Sequence, residues 1–229
     1  MKKVKGKKAA VCWSGGKDSS LALYHAVKEN KNIVCLLSMV SIRDERNHAH
    51  GIKLGILKLQ AEALSLPLIL VDSADHYESS LISALKDLKL QYGIEEIIFG
   101  SLYAEEDRKW NEQVARKAEL EPLFPIWIAK DKAHKLLEEF IELGFSAIVC
   151  RASEKHFDQT WAGRFLDWHF FNDIQNMDVC VMGEYGEYHT FVLDGPMFQN
   201  KVILTHSQII LNAGLWSLDI TQGQLDDRA

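Results

Sequence analysis

The chain has 229 residues, of which 47% are hydrophobic, and a formal net charge of −6. No run approaches the roughly 20 apolar residues of a membrane span, and no long basic stripe offers a broad nucleic-acid footprint, which argues against membrane and nucleic-acid partners. The four cysteines are far apart within apolar runs, which argues against zinc and iron–sulfur sites and predicts small core residues in a reducing compartment, the cytoplasm.

The first predicted elements are a strand over residues 9–13 and a helix over residues 19–30, joined by a glycine turn. The turn reads Ser14-Gly15-Gly16-Lys17-Asp18-Ser19. Glycines let the backbone come close to a ligand, and short hydroxyls beside a helix N-terminus favour an anion. Because the lysine adds a mobile positive charge, the turn predicts a phosphate site.

Asp18 is the unusual member of this turn. A carboxylate repels phosphate unless it caps the helix or helps to hold a divalent cation, so Asp18 favours a metal-bound nucleotide over a simple anion. A Walker A loop has four residues between its glycines and Ser or Thr directly after Lys, so an ordinary GTPase or kinase-type loop is excluded. A plain strand-to-helix turn with solvated polar residues is the alternative.

Apolar runs continue to alternate with helical patterns along the next 70 residues or so. The predicted strands cover 33–37, 68–71 and 97–100, and the predicted helices cover 52–65 and 78–92. Strands alternating with helices predict an α/β fold with a doubly wound parallel sheet. Ligands of such sheets bind beyond the carboxyl ends of the strands, which is where the glycine turn lies.

Two more polar segments follow strands at that end of the sheet. Residues 41–50 carry several charges, with His48 and His50 as candidates to touch a phosphate or a substrate. A mobile solvated loop is the alternative. The second segment, residues 105–109, follows the fourth strand.

Gly100 ends the fourth strand and is a nucleotide-binding candidate. Asp107 and Arg108 come a few residues later and are substrate-binding candidates. The alternative is that residues 105–109 are only the charged first turn of a helix.

The composition changes at residues 122–127, which hold two of the four prolines. A helix over 131–143 and a strand over 147–150 are predicted next. We expect a nucleotide-binding domain over residues 1–128 and a smaller α+β domain over 129–229 that packs on it to form a cleft. The polar end, residues 221–229, is expected to be frayed.

The second domain has its own concentration of polar residues. It reads Gly183-Glu184-Tyr185-Gly186-Glu187-Tyr188-His189-Thr190 and precedes an apolar strand over 191–193. A hairpin loop that feeds a strand would explain the glycines. Two carboxylates, a histidine and a threonine are more polar chemistry than a turn needs.

Ser-Gly-Gly-Lys-Asp-Ser after a first strand resembles the PP-loop of the ATP pyrophosphatases, which cleave ATP between the α and β phosphates. A PP-loop domain followed by Gly-Glu-x-Gly-Glu-Tyr-His-Thr and Leu-Asp-Gly-Pro resembles the diphthine–ammonia ligase family and its bacterial-type relatives, the N-type ATP pyrophosphatases. The resemblance covers about residues 8–204. It implies an adenine nucleotide alpha hydrolase-like, Rossmann-like first domain.

The resemblance also implies an AMP-forming carbon–nitrogen ligase. A substrate carboxylate would attack the α-phosphate of ATP, pyrophosphate would leave, and ammonia would displace AMP from the acyl-adenylate. Mg²⁺ would accompany ATP, and free ammonium would supply the nitrogen. The acceptor would be diphthine on a translation elongation factor or a small metabolite, and a homodimer is left open.

Within that reaction, residue roles follow from charge and from position at the carboxyl ends of the strands. The nucleotide-binding residues would be Ser14, Gly15, Gly16, Lys17, Asp18, Ser19 and Gly100. Lys17, Asp18 and Glu187 would be catalytic, with Asp18 also holding the metal. The substrate-binding residues would be His48, Asp107, Arg108, Glu184, Glu187, Tyr188, His189 and Thr190.

Two other functions stay open. One is a tRNA-modifying PP-loop enzyme, which should have a basic face and bind tRNA with strong salt dependence. The other is a regulatory module that holds ATP without turnover.

Overall fold

The first sheet carries the glycine turn at its centre. The computed structural model describes residues 6–73 and 76–226. The strands of this sheet are β1 (Lys8–Cys12), β2 (Asn32–Ser41), β3 (Arg46–Asn47), β4 (Leu68–Asp72), β5 (Ile94–Ile98) and β6 (Glu121–Leu123). Five run parallel in the order β4-β2-β1-β5-β6, and β3 pairs antiparallel with the end of β2. Because the chain proceeds outward on both sides of β1, a ligand cleft is expected at its carboxyl end.

Helices cover both faces of this sheet. They are α1 (Lys17–Lys28), α2 (Leu54–Ala63), α3 (Tyr77–Tyr92) and α4 (Glu105–Lys117). Ala9 and Val11 of β1 are buried together with α1 and α2, whereas Ala10 is buried together with α3 and α4. Alternate residues of one strand thus face two apolar layers, which explains the unbroken apolar runs and confirms the doubly wound sheet.

The second sheet is antiparallel throughout. Its strands are β7 (Ser146–Ser153), β8 (Tyr188–Asp194), β9 (Lys201–Asn212) and β10 (Leu215–Asp226), in the order β8-β7-β10-β9. Its helices are α5 (His134–Glu142) and α6 (Trp168–Gln175), with short 3₁₀ turns at Lys130–Lys132 and Gln159–Trp161. The predicted fold class, an α/β sheet with a smaller α+β unit, is confirmed.

The end of the chain differs from the expectation. Residues 221–226 are part of β10, which pairs with β9 as far as Asp226 opposite Lys201, so the prediction of a frayed end was wrong for them. Exposed residues alternate with partly buried ones along this stretch. A strand with one solvated face reads as polar, which explains the error. Residues 227–229 lie outside the described residues.

One core of buried side chains runs through both sheets. It joins Leu21 of α1, Phe140 of α5 and Phe191 of β8. The domain boundary near residue 128 stays a prediction; it falls between β6 and α5. Within residues 6–73 and 76–226, none of the helices has both the length and the apolar character needed to cross a membrane.

Candidate active site

The glycine turn lies between β1 and α1 in a closely packed setting. Gly15 has a φ of +81°, a left-handed conformation that favours glycine. A Cβ on Gly16 would lie 2.4 Å from Cε1 of His50, and a Cβ on Gly100 would lie 3.0 Å from the backbone nitrogen of Ser19. These contacts leave no room for side chains at Gly16 and Gly100. Gly100 therefore shapes the start of α1 from the end of the neighbouring strand.

Serine hydroxyls hold the turn in shape. The Ser14 hydroxyl accepts a hydrogen bond from the Gly16 N–H at 3.2 Å and lies 3.2 Å from the Ser19 hydroxyl. The Ser19 hydroxyl is also 3.1 Å from the Gly16 carbonyl oxygen. Both hydroxyls therefore sit at the N-terminus of α1, the positive end of the helix dipole.

Lys17 and Asp18 supply the charges of the turn. The Lys17 side chain is only 3% exposed, and its Nζ lies 3.0 Å from Asp18 Oδ2 and 4.9 Å from the centre of the Tyr188 ring. The other oxygen, Asp18 Oδ1, is buried and has no hydrogen-bond partner. A buried carboxylate oxygen without a partner fits a cation ligand.

Two backbone N–H groups of the turn have side-chain partners. The Gly16 N–H donates to Ser14, and the Lys17 N–H donates to the Thr190 hydroxyl at 3.0 Å. A phosphate that binds here has two ways to do so. It can displace the Ser14 and Thr190 hydroxyls from these N–H groups, or it can leave those bonds in place and bind to the Lys17 ammonium and the hydroxyls of Ser14 and Ser19. The Thr190 contact also shows that the two sequence motifs meet in space.

Gln60 of α2 connects the turn to both sheets through hydrogen bonds. Its side chain is fully buried, and Oε1 accepts a hydrogen bond from the Trp13 indole N–H at 2.8 Å. Its Nε2 donates to the carbonyl oxygens of Gly15 at 3.0 Å and Val192 at 2.7 Å. The Val192 N–H donates in turn to the Gly15 carbonyl. Gln60 was not predicted as a site residue, although a polar residue on the apolar face of a predicted helix was the available signal.

A cavity of about 270 Å³ opens beside the turn, at the carboxyl ends of β1, β2 and β5. Aromatic side chains form much of its wall, namely Trp13, Tyr77, Phe99 and Trp110. Aromatic walls next to a phosphate-type loop fit a flat base. The first three of these residues lie within or next to predicted strands and helices, so nothing in the sequence marked them as a group.

The segment 46–51 forms another wall of this cavity. His48 Nε2 lies 2.7 Å from the Ser73 hydroxyl, and the His50 ring bonds to the Thr190 carbonyl oxygen through Nδ1 at 2.7 Å. The His50 and His189 rings lie 4.9 Å apart.

Both members of this histidine pair are held neutral at pH 7. Burial, followed by repulsion from His189, holds the pKa of His50 well below its usual range. Burial also lowers the pKa of His189 to about 4, with further contributions from the charges of Lys17 and Arg151. Neutral imidazoles beside two cations can donate or accept hydrogen bonds without adding positive charge.

The two glutamates of the second motif occupy different settings. Glu187 is 7% exposed, and its two carboxylate oxygens accept the backbone N–H groups of Cys180 and Tyr185, each at 2.9 Å. These contacts give Glu187 a structural place in the turn and do not support its predicted catalytic role.

Charges of the glycine turn act on the pKa of Glu184. Burial and then the negative charge of Asp18 raise its pKa to about 7, while Lys17 lowers it. A carboxyl group with that pKa can accept and release a proton near neutral pH. Glu184 therefore has a pKa suited to acid–base chemistry, whereas Glu187 is engaged by backbone N–H groups.

Of the two candidates after β5, only Asp107 faces this region. Its Oδ2 accepts hydrogen bonds from the Ser101 hydroxyl at 2.5 Å and from Asn111, which lines the aromatic cavity, at 3.2 Å. Arg108 pairs with Glu112 and stacks over Trp127 at 4.7 Å. Neither of these Arg108 partners lines the aromatic cavity.

Within the described ranges 6–73 and 76–226, no group of three or more His, Cys, Asp or Glu side chains could hold a metal. A divalent cation here would depend on Asp18 together with phosphate oxygens of a nucleotide, an arrangement that Mg²⁺ commonly adopts.

The chain is similar to proteins of one family along most of its length. A family model described as the diphthamide synthase N-terminal domain matches residues 7–122, and one described as the diphthamide synthase C-terminal domain matches residues 132–224. A diphthine–ammonia ligase of Danio rerio is 27% identical over 226 residues, which cover 87% of each chain. One of Homo sapiens is 26% identical and covers 90% of this chain and 86% of its own.

The two family models match consecutive parts of the chain, one for each of its sheets. The PP-loop lies within the first match, and the motif at 183–190 lies within the second. The resemblance stated from the two motifs is thereby confirmed. The chain belongs to the diphthamide synthase family.

Proposed function

We propose that this chain is an ATP-dependent ligase that adenylates a carboxylate and then converts it to an amide with ammonia. The observation that carries the proposal is the ion pair of the buried Lys17 with the partly buried Asp18 at the N-terminus of α1, next to a cavity with aromatic walls. The relatives named diphthine–ammonia ligase support the reaction class. Diphthine on an elongation factor is the first acceptor to test, and another carboxylate is the second.

The proposed nucleotide position follows from shape and charge. The base would lie in the aromatic cavity, and the β and γ phosphates would lie at the N-terminus of α1 against Lys17 and the hydroxyls of Ser14 and Ser19. Asp18 would hold Mg²⁺, because its Oδ1 is buried without a partner. The cation would neutralise phosphate charge when it is bound.

The proposed reaction has two bond exchanges. An acceptor carboxylate oxygen attacks the α-phosphorus, the bond from that phosphorus to the bridging oxygen breaks, and pyrophosphate leaves. Ammonia then attacks the acyl carbon, the bond from that carbon to the AMP oxygen breaks, and the nitrogen loses a proton. Lys17 stabilises the charge that develops on the departing pyrophosphate.

Glu184 is the proposed acceptor of the proton from the incoming nitrogen. Its pKa of about 7 suits proton transfer at neutral pH. His189 and Thr190 would form the acceptor side of the site, since Thr190 contacts the Lys17 backbone directly. Tyr188, with its ring under the Lys17 ammonium, and Glu187 would support this arrangement from the buried side.

Product analysis tests the proposal. The protein is incubated with ATP labelled at the α and γ positions, with and without ammonium and a diphthine-bearing elongation factor. Pyrophosphate formation that requires the elongation factor, together with repeated AMP release that requires ammonium as well, supports it. Bound ATP that stays intact in every mixture would contradict it and favour a regulatory module, and AMP release that instead depends on tRNA would favour a tRNA-modifying enzyme.

Glu184→Gln is expected to remove a pH dependence from the ammonia step. A base works in its deprotonated form, so the wild-type rate divided by the variant rate should rise as the pH increases through about 7. The measurement is amide formation between about pH 6 and 8 at a fixed concentration of free ammonia, within one unit of this pKa.

Glu187→Gln is the matched control for that experiment. It replaces a carboxylate oxygen that accepts a backbone N–H, so it should lower stability while the pH dependence persists. A flat ratio for Glu184→Gln, or loss of the pH dependence in Glu187→Gln alone, would remove Glu184 from the role of base.

Asp18→Asn is expected to raise the Mg²⁺ concentration needed for half-maximal ATP turnover by about tenfold or more, because a neutral amide binds a hard cation less well. A direct measurement is the Mg²⁺ dependence of ATP binding by calorimetry. The exposed Asp87→Asn on α3 is the control. An unchanged Mg²⁺ dependence in Asp18→Asn would show that Asp18 does not hold the cation.

A further inference from the structure

A second cavity, of about 350 Å³, lies between segment 46–51 and the second sheet. We call it the Arg151 cavity and define it by Arg46, His50, Arg151, Ser217 and Asp219, which are among the residues that line it. It shares one wall with the aromatic cavity, because residue His50 lines both. The proposed nucleotide site and the Arg151 cavity are therefore neighbours.

The charges of this cavity do not balance. Arg46 is neutralised by Asp219, whose Oδ1 lies 2.7 Å from its Nη2. Arg151 donates to the carbonyl oxygens of His48 at 3.0 Å and Ala49 at 2.8 Å. Within the described parts of the chain, no carboxylate forms an ion pair with Arg151.

Because Arg151 has no ion-pair partner within the described residues, its guanidinium favours the binding of an anion in this cavity. Arg151 is only partly exposed, so water screens its charge less than it would at an open surface. The guanidinium presents planar N–H donors, which match a carboxylate geometrically. The neighbouring histidines are neutral and add no competing charge.

The Arg151 cavity is also connected to the glycine turn through His50. The His50 ring lies against Gly16 and bonds to the Thr190 carbonyl oxygen. Both Lys17 and Arg151 act on the charge state of His189, which lies beside His50. The His50–His189 pair therefore links Arg151 electrostatically to Lys17, next to which the phosphates are proposed to lie.

We propose that the Arg151 cavity binds the carboxylate end of the acceptor and directs it past His50 toward the α-phosphate. This inference rests on the proposed function. Arg151 would position the nucleophile, and its charge would also concentrate anionic acceptors at this entrance to the site. The shared chemistry is that of an oxyanion, so a phosphate of ATP is the competing occupant.

A charge placed opposite Arg151 tests the proposal without removing its contacts to segment 46–51. Ser217 is paired with Arg151 across neighbouring antiparallel strands and lines the same cavity, so a carboxylate at position 217 would be close to the guanidinium. In Ser217→Asp, the new carboxylate should form an ion pair with Arg151 and so exclude the carboxylate of the acceptor. Ser217→Asn has nearly the same shape without the charge and is the matched control.

The expected result separates the two substrates. Ser217→Asp should raise the KM for the diphthine-bearing elongation factor by about tenfold or more, the usual weight of a charge-assisted hydrogen bond, and leave the KM for ATP within about twofold. Because Ser217→Asn has nearly the same shape, the acceptor KM of Ser217→Asp should exceed that of Ser217→Asn by about the same factor, and the KM for ATP should not differ between the two variants. An unchanged acceptor KM in Ser217→Asp, or a parallel rise in the KM for ATP, would overturn the assignment.

A binding measurement keeps this inference distinct from the proposed function. The side-chain N–H resonance of Arg151 is followed by NMR while sodium propionate is added, with sodium chloride as the salt control. Propionate should shift that resonance in the wild type and in Ser217→Asn and should leave it unmoved in Ser217→Asp. An Arg151 resonance that propionate does not shift beyond the chloride control in the wild type would overturn the subsite even if the ligase reaction occurs.

Discussion

Replacing Lys17 by Met should lower kcat/KM for ATP-dependent AMP formation by about 10²–10³-fold, the cost of removing one preorganised group that stabilises developing charge. The Lys17 Nζ is buried beside Asp18, at the start of α1, where water cannot replace the lost charge. Methionine keeps most of the apolar stem of the lysine, so the fold should be retained. Steady-state kinetics and a thermal unfolding curve check both parts.

Lys28→Met is the control for that change, because Lys28 lies at the other end of the same helix and is exposed. It should leave kcat/KM close to wild type. Wild-type turnover in the well-folded Lys17→Met variant would take the PP-loop lysine out of the mechanism. A loss of turnover that coincides with unfolding would instead indicate a structural effect.

Gln60→Leu is expected to lower the free energy of unfolding by about 2–5 kcal/mol, because it leaves buried polar groups without partners. The Trp13 indole N–H would lose its acceptor, and the Val192 carbonyl oxygen would lose its donor. The Gly15 carbonyl would lose one donor and keep the Val192 N–H. Since the same bonds position the PP-loop, the KM for ATP should rise as well.

Urea unfolding and ATP kinetics measure these two effects of Gln60→Leu. Gln91→Leu on the exposed side of α3 is the control and should change the free energy of unfolding by at most about 0.5 kcal/mol. If Gln60→Leu matched Gln91→Leu in stability, the buried hydrogen bonds of Gln60 would not link the turn to the two sheets.

Local patterns predicted most of the first sheet. The run at 33–37 is apolar without alternation, and β2 is indeed buried between two layers of helices. The helix predicted over 78–92 does end at Tyr92, because Gly93 adopts a left-handed conformation with a φ of +69° and its N–H bonds to the Lys89 carbonyl oxygen. Such signals involve neighbours in sequence, so they can be read without the fold.

Residue roles in the site depended on distant contacts. Glu184 and Glu187 are three residues apart in the same motif, yet their settings differ. Burial and the charge of Asp18 raise the pKa of Glu184, whereas Glu187 accepts hydrogen bonds from backbone N–H groups of its own turn. Arg108 follows Asp107 directly but stacks on Trp127. Sequence spacing contains no information about which side chain faces a cleft.

The sequence by itself determined the PP-loop, the parallel sheet that carries it and the presence of a second polar motif. Each depends on residue type and short-range periodicity, since glycine conformation, helix N-termini and strand burial are local properties. Only the tertiary structure decided that Thr190 bonds to Lys17, that Gln60 joins the two sheets and that Arg151 has no acidic partner within the described residues. Those facts depend on burial and on contacts between residues tens to more than a hundred positions apart, which folding alone brings together.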